Sequence, residues 1–377
     1  MKAISLLVAL WLAAGTGLAQ VAADVEALRA DGPFTHLNLS IYILFRKQMP
    51  PNPPAYITLK EGLAGGQVRI SELPSAAVGQ LLVSNLSDRR LFLQAGELLH
   101  GGRQDRTLQT SLVIPPRTGD VPIPSLCIER ARWSGGKEFA ADGQIAPRSI
   151  QNSIASGSQD RVWDSVGKYK AEARSAMGPS AGASRSSSLN EELRSDAFKR
   201  VMGGYESALS GAINRYANPI GMVWAINGRI EQAEVYHTSD LFRRLFPALL
   251  SAAAAEAGAK LGVPVPVPLP EPIPVPLPGP RGERDIMPRP RPIPRPPPTH
   301  NPPALKEVSD FLVAVWDGAK SEERLTAGNV RVRVTSTAGT KDDLMFNGEW
   351  IHSHILPREA GIIIPVPRPP IHPMPRE

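Results

Sequence analysis

Two short runs could bring guanidinium and carboxylate groups to one spot: Gly102-Arg103-Gln104-Asp105-Arg106, and Glu129 with Arg132. Arginine forks match the paired oxygens of a carboxylate or phosphate group. A glutamate beside them can hold a ribose hydroxyl or take a proton. Glu97 supplies a second carboxylate, and Trp133 or Trp163 an aromatic wall, so Glu97, Arg103, Gln104, Arg106, Glu129 and Arg132 form a candidate ligand pocket. Gln159 joins the set because it opens a predicted helix, whose first turn can receive an anion. The competing reading is structural. Arg106 and one glutamate would then pair to close a sheet, because a buried charge without a partner is strongly unfavourable.

Other residues suggest weaker chemistry. His352 and His354 lie two apart on a predicted strand and face the same way, a spacing that can serve a metal if His100 or Glu97 approaches. Cys127 is the single cysteine, so no intrachain disulfide forms, and a lone thiol reads first as a small buried hydrophobe. Gly101-Gly102 lacks the lysine and spacing of a phosphate loop. No nucleophile–base set, metal cage or phosphate loop is complete, so the sequence assigns neither a reaction nor a cofactor.

The elements that must position these groups are mostly strands. Two-residue alternation places Gln104, Arg106, Leu108, Thr110, Leu112 and Ile114 on one face of a strand, with Arg103 and Asp105 on the other. A second strand over 121–133 carries Val121, Ile123, Cys127 and Glu129 on one face. Upstream, residues 37–45, 67–73, 80–85 and 91–94 read as strands, and Thr58 with Glu61 has capping-box spacing for a short helix. Helices dominate 146–216, ending in one long helix over 189–216. Asn227-Gly228 and Asn347-Gly348 are hairpin turns, and Thr238 or Ser239 caps a helix entering the alanine run. Residues 305–319 read as an amphipathic helix and 329–335 as a strand. The expected fold class is α+β: a mixed or antiparallel sheet with a central helical section, interrupted by a polyproline insertion.

The same residues carry a family resemblance. The runs GELLHGGRQDR and IPSLCIERARW, then Phe139, QDRVW at 159–163 and VWAINGRI at 223–230, resemble the ARPP-1 family. That name denotes the ARG and rhodanese-phosphatase-superfamily-associated protein domain. Its G-x-K/R-Q-x-R core, C-V/I-E-x-x-R-W strand and Q-x-x-V/x-W helix start correspond to 102–106, 127–133 and 159–163. The likeness spans nearly all of the chain after the leader except the proline-rich segment. The family's genomic company with ADP-ribosylglycohydrolases implies a link to ADP-ribose or NAD-derived compounds.

Composition bounds the rest. Residues 1–19 read as a secretory leader: Lys2, an apolar run, then small residues before Gln20. The apolar run is shorter than the ~20 residues of a membrane span, so no integral span is expected after cleavage. Of the 39 prolines, nearly half fall in 264–303, where alternating proline excludes helix and implies a polyproline II spacer. The division expected is leader 1–19, main part 20–262, spacer 263–303, a completing piece 304–360 and a proline-rich tail 361–377. The completing piece is too small for an ample core of its own, so it should pack back onto the main part. The net charge of +6 does not make a nucleic-acid binder, because arginines in the spacer lack interleaved aromatics. A periplasmic or secreted module is therefore expected, binding an anionic small molecule or an envelope protein. The alternatives are a hydrolase or transferase of an ADP-ribose-like compound, which export disfavours, and a scaffold with a proline spacer.

Overall fold

The structure, a computed structural model, describes residues 28–73, 79–130, 132, 137–178, 186–261 and 301–358. The leader, residues 263–300 of the spacer, the 361–377 tail and Trp133 lie outside the described residues.

Three sheets organise the described residues. The largest opens with β1 (Leu28–His36) and β2 (Leu39–Arg46). Then come β3 (Tyr56–Thr58), α1 (Leu59–Ala64), β4 (Val68–Glu72), β5 (Gln80–Asn85) and β6 (Arg90–Leu93). Helix α1 starts as its sequence indicates: the Thr58 hydroxyl accepts from Glu61 N while the Glu61 carboxylate accepts from Thr58 N. The central strands are β7 (Leu98–Gly102), β8 (Arg106–Leu108), β9 (Leu112–Ile114), β10 (Thr118–Cys127) and β11 (Lys137–Ala140).

The helical section follows: α2 (Arg148–Ala155), α3 (Gln159–Met177), α4 (Leu189–Leu193) and α5 (Asp196–Leu209). Strands β12 (Pro219–Ile226) and β13 (Arg229–Tyr236) form a hairpin around Asn227-Gly228, both at positive φ as a type I′ turn requires. Helix α6 (Ser239–Ala259) is capped by Thr238, whose hydroxyl accepts from Leu241 N. Beyond residue 301 lie α7 (Leu305–Trp316), β14 (Ala319–Arg324), β15 (Asn329–Thr335), β16 (Gly339–Phe346) and β17 (Glu349–Pro357).

The large sheet runs β1-β2-β12-β13-β17-β16-β15-β14, antiparallel throughout. Residues after 301 thus supply half of its strands, joined through β13 and β17. One face is covered by α2, α3, α5 and α6, which bury Ile150, Tyr169, Phe198 and Phe242 with Trp224. On the other face α7 sets Val308, Leu312 and Val315 against Tyr42, Val223 and Trp350. The smaller sheets, β11-β7-β8-β10-β5-β4 and β3-β6-β9, share a third core around Leu91, Leu99 and Ile123. Among the described strands only β3 and β6 pair in parallel, so the class is α+β.

Three expectations are corrected. The single strand through 104–114 is two strands in two sheets, because residues 109–111 cross between them: Ser111 turns its hydroxyl to Ala95 N and β9 pairs with β6. The strand expected over 121–133 begins at Thr118 and ends at Cys127. There the Gln159 amide takes both the N–H and the carbonyl of Cys127, leaving Glu129 and Arg132 beyond the strand. The long helix over 189–216 is divided at Ser195, whose hydroxyl caps α5 through Phe198 N, and it tightens into a 3-10 turn over Ser210–Arg215.

Candidate functional site

The β7–β8 turn holds the motif residues in place. Gly101 and Gly102 have φ of +119° and +54°, and a Cβ on Gly101 would stand 2.3 Å from the Glu138 carbonyl oxygen. On Gly102 it would meet the Phe139 ring at 2.3 Å. Side chains are therefore excluded here twice over, by conformation and by β11 lying across the turn.

Past the glycines, alternate residues go to different partners. Asp105 is buried, and its carboxylate accepts from Ser188 Oγ (2.6 Å), Asn190 Nδ2 (3.1 Å), Arg132 (3.0 Å) and Gly101 N (3.1 Å). Glu129 accepts from Arg132 Nε at 3.0 Å and from Asp105 N at 3.2 Å, while its carbonyl takes the Gln104 amide at 3.1 Å. Arg106 is buried with its NH1 2.5 Å from Cys127 Sγ and NH2 3.6 Å from Glu72. Glu72 also meets Arg103, through the backbone N–H at 3.0 Å and Nε at 3.4 Å. Burial pushes the Cys127 thiol up to about 11, which opposes a thiolate nucleophile at neutral pH.

The motif residues thus fall into two adjoining groups, Gln104, Glu129 and Arg132 around Asp105, and Arg103 with Arg106 around Glu72. Gln159 is bound to the Cys127 peptide beside the second. Trp163 lies apart from those pairs, under the Arg130 guanidinium at 5.6 Å. Glu97 is elsewhere. It is buried beside Gln94, whose N–H it accepts at 3.3 Å, and burial pushes its carboxyl up to about 8. His100 meets Arg194 at 2.6 Å, whereas His352 and His354 meet Glu234.

A second constellation sits on the large sheet. Register places Glu234 of β13, His354 of β17, Asp342 of β16 and Arg333 of β15 side by side in one row. His352, two residues from His354, shares that face. Its Nε2 lies 2.5 Å from Glu234 Oε2, and His354 Nδ1 lies 2.6 Å from Oε1. Gln232 donates to the same Oε1 at 2.6 Å and to Gln151 of α2 at 3.1 Å. Burial pushes the Glu234 carboxyl up, but the imidazoles of His354 and His352 outweigh it and hold the group down at about 2. Arg333 grips Asp342 with two bonds of 2.6 Å. Tyr236 stacks on His352 at 4.7 Å between centroids and donates to Gln94 Oε1 at 2.8 Å, linking the group to the Glu97 loop.

This constellation borders a cavity of about 50 Å³ that opens to solvent between the sheet, α2 and the 109–111 crossing. His352, His354, Gln151, Gln109, Ser111 and Arg331 are among its walls. Among the described residues, no group of three or more His, Cys, Asp or Glu side chains has a geometry that could hold a metal ion. Sequence reasoning found the two histidines but missed Glu234. The available signal was Gln232, Glu234 and Tyr236 alternating along a strand whose other face is apolar.

Fold and network together define an α+β protein built on antiparallel sheets, with a glycine-turned arginine–carboxylate core and a helical layer. The chain belongs to the ARPP-1 family, the ARG and Rhodanese-Phosphatase-superfamily-associated Protein domain, whose model matches residues 27–271. No curated protein and no solved structure matches it. No helix among the described residues is long and apolar enough to cross a membrane.

Proposed function

We propose that this protein is an exported module of the cell envelope that binds an anionic small molecule at the open edge of the arginine–carboxylate network. The observation that supports this is Arg103. Its side chain is 45 % exposed and meets its carboxylate neighbour, Glu72, at 3.4 Å, too long for a tight fork. A ligand carboxylate or phosphate can take the outward guanidinium edge without dismantling the inner pairs. Arg132, 34 % exposed, flanks the same glycine turn through its bonds to the Gly101 and Gly102 carbonyls.

The test pairs stability with binding. Arg103→Ala should lower stability by less than about 1 kcal/mol, as exposed ion pairs do. It should also remove the binding of ADP-ribose or inorganic phosphate measured by calorimetry, and any anion that copurifies, detected by native mass spectrometry. Unchanged binding in the variant refutes the assignment. The inner tier favours a second reading, because the four donors on Asp105 make a structural clamp between the β7–β8 turn and α4. Loss of stability without loss of binding in Arg103→Ala would select that reading. Export is part of the proposal. N-terminal sequencing of the mature protein from the periplasmic fraction should start at Gln20.

A further inference from the structure

The cavity on the large sheet contains groups that anion binding at Arg103 does not use. Glu234 is ionised and therefore only accepts hydrogen bonds, so the His354 nitrogen facing it at 2.6 Å must donate. In the neutral ring, Nδ1 then carries the proton and Nε2 the lone pair. Among the described residues Nε2 has no protein partner, it is not sealed from solvent, and the side chain is 14 % exposed at the cavity wall. A ring nitrogen held in one orientation by a buried carboxylate, on a side chain at the wall of a small open cavity, is the arrangement of a general base.

The surrounding charges limit the substrate. Arg331 on the wall is paired with Glu323, and the Asp342 and Asp343 carboxylates line the same cavity, so its walls disfavour a phosphate. A volume of about 50 Å³ holds a few waters or an acyl group of acetyl size. The Ser111 hydroxyl accepts from Ala95 N at 3.0 Å, which leaves its proton to donate into the cavity.

We propose that this cavity is a hydrolytic site for small uncharged carboxylic esters, with His354 as the catalytic base and Glu234 as its positioning residue. In the step, a water oxygen bonds to the acyl carbon as its proton passes to His354 Nε2. The acyl C–O bond then breaks, and the imidazolium returns the proton to the departing alkoxide oxygen, giving an acid and an alcohol. Ser111 steadies the carbonyl oxygen while it bears negative charge. Both histidines lie outside residues 27–271, so this activity belongs to the segment after 301 and not to the family-matched part alone.

The experiment uses the full chain and p-nitrophenyl acetate. His354→Asn keeps an N–H donor toward Glu234 but has no basic nitrogen, and its kcat/KM should fall about 100-fold or more. Glu234→Gln should keep measurable activity with a lowered kcat and little change in KM, because the histidine remains but loses the carboxylate that orients it. Thermal melts of both variants separate loss of fold from loss of base. If either unfolds, His354→Gln, changed only at the part-exposed position, replaces it. Equal rates for wild type and a folded His354 variant overturn the proposal, as does a wild-type rate no higher than buffer.

Discussion

Glu97 offers the clearest perturbation in the molecule. It is 3 % exposed, its carboxylate accepts a hydrogen bond from Gln94 N, and no cation among the described residues pairs with it. Burial therefore raises its carboxyl from 4.5 to about 8, against the smaller opposing effect of the Gln94 bond. Between those values the folded chain keeps a proton that the unfolded chain has released. The contribution of Glu97 is thus complete below about 4.5 and is lost as pH rises through about 8. At ~1.4 kcal/mol per unit over about 3.5 units, the loss approaches about 5 kcal/mol, a large part of a typical domain's stability.

Glu97→Gln retains an oxygen for Gln94 N and carries no charge at any pH. Urea unfolding of both forms at pH values from about 5 to about 8.5 should give curves that nearly coincide at the acid end and diverge steadily. By about pH 8 the variant should be the more stable by about 3–5 kcal/mol. A difference that stays flat across the series would show that Glu97 is either solvated or paired, and the reasoning would fail. The effect also reaches the cavity. A charged Glu97 would stand close to Tyr236, whose hydroxyl is already pushed well up by burial and by Glu234 and Glu97.

Two further outcomes follow from the hydrogen bonding. Asp105→Ala strands Ser188, Asn190, Arg132 and Gly101 N–H at once, so it should cost about 3–5 kcal/mol in equilibrium unfolding, with Asp105→Asn costing less. Asn329→Ala removes the bonds to Val113 N (2.9 Å) and Val113 O (2.8 Å) that tie β15 to the three-stranded sheet. Limited proteolysis should then cut within 301–358 sooner than in wild type, while the Arg103 surface keeps its affinity.

Much of the local structure could be read because its causes are local. The capping box at Thr58 and Glu61 and the Asn-Gly turns at 227 and 347 each need only neighbouring residues to form. Of the candidate site, the sequence shows the glycine turn and the nearby strand end, but not that Gln104, Glu129 and Arg132 would meet around Asp105 while Arg103 and Arg106 share Glu72. Failures came where distant residues decide. Periodicity could not show that the Gln159 side chain would occupy the Cys127 peptide and end β10, a contact made across 32 positions. Nor could it show that Arg229–Tyr236 and Glu349–Pro357 would lie edge to edge, which alone sets Glu234 beside two histidines. Strand β1 was invisible because its residues alternate only between half-buried and exposed, with little apolar contrast. Strand β14 is fully exposed, and its Lys320, Glu322, Glu323 and Arg324 carry no apolar alternation to mark a strand. Those charges suit a sheet edge that must not pair with another chain.

The register between β13 and β17 also has an energetic consequence. Glu234 belongs to the family-matched part of the chain, whereas both imidazoles that face it within hydrogen-bond distance come from beyond residue 301. Burial alone opposes its charge, and only docking of the later strands reverses that, holding the carboxyl at about 2 instead of 4.5. A depressed carboxyl contributes stability that is complete above 4.5 and drains away as pH falls towards about 2, here about 3 kcal/mol. That energy acts across the β13–β17 seam, so acid should loosen residues 301–358 before it unfolds the smaller sheets. Hydrogen exchange followed down the acid limb should show protection lost first in β17 and β16, and Glu234→Gln should abolish that pH dependence. Simultaneous loss of protection in all three sheets, or an unchanged acid limb in the variant, would mean that apolar contacts such as Ile355 with Ala233 hold the seam and the ionic row merely sits upon it.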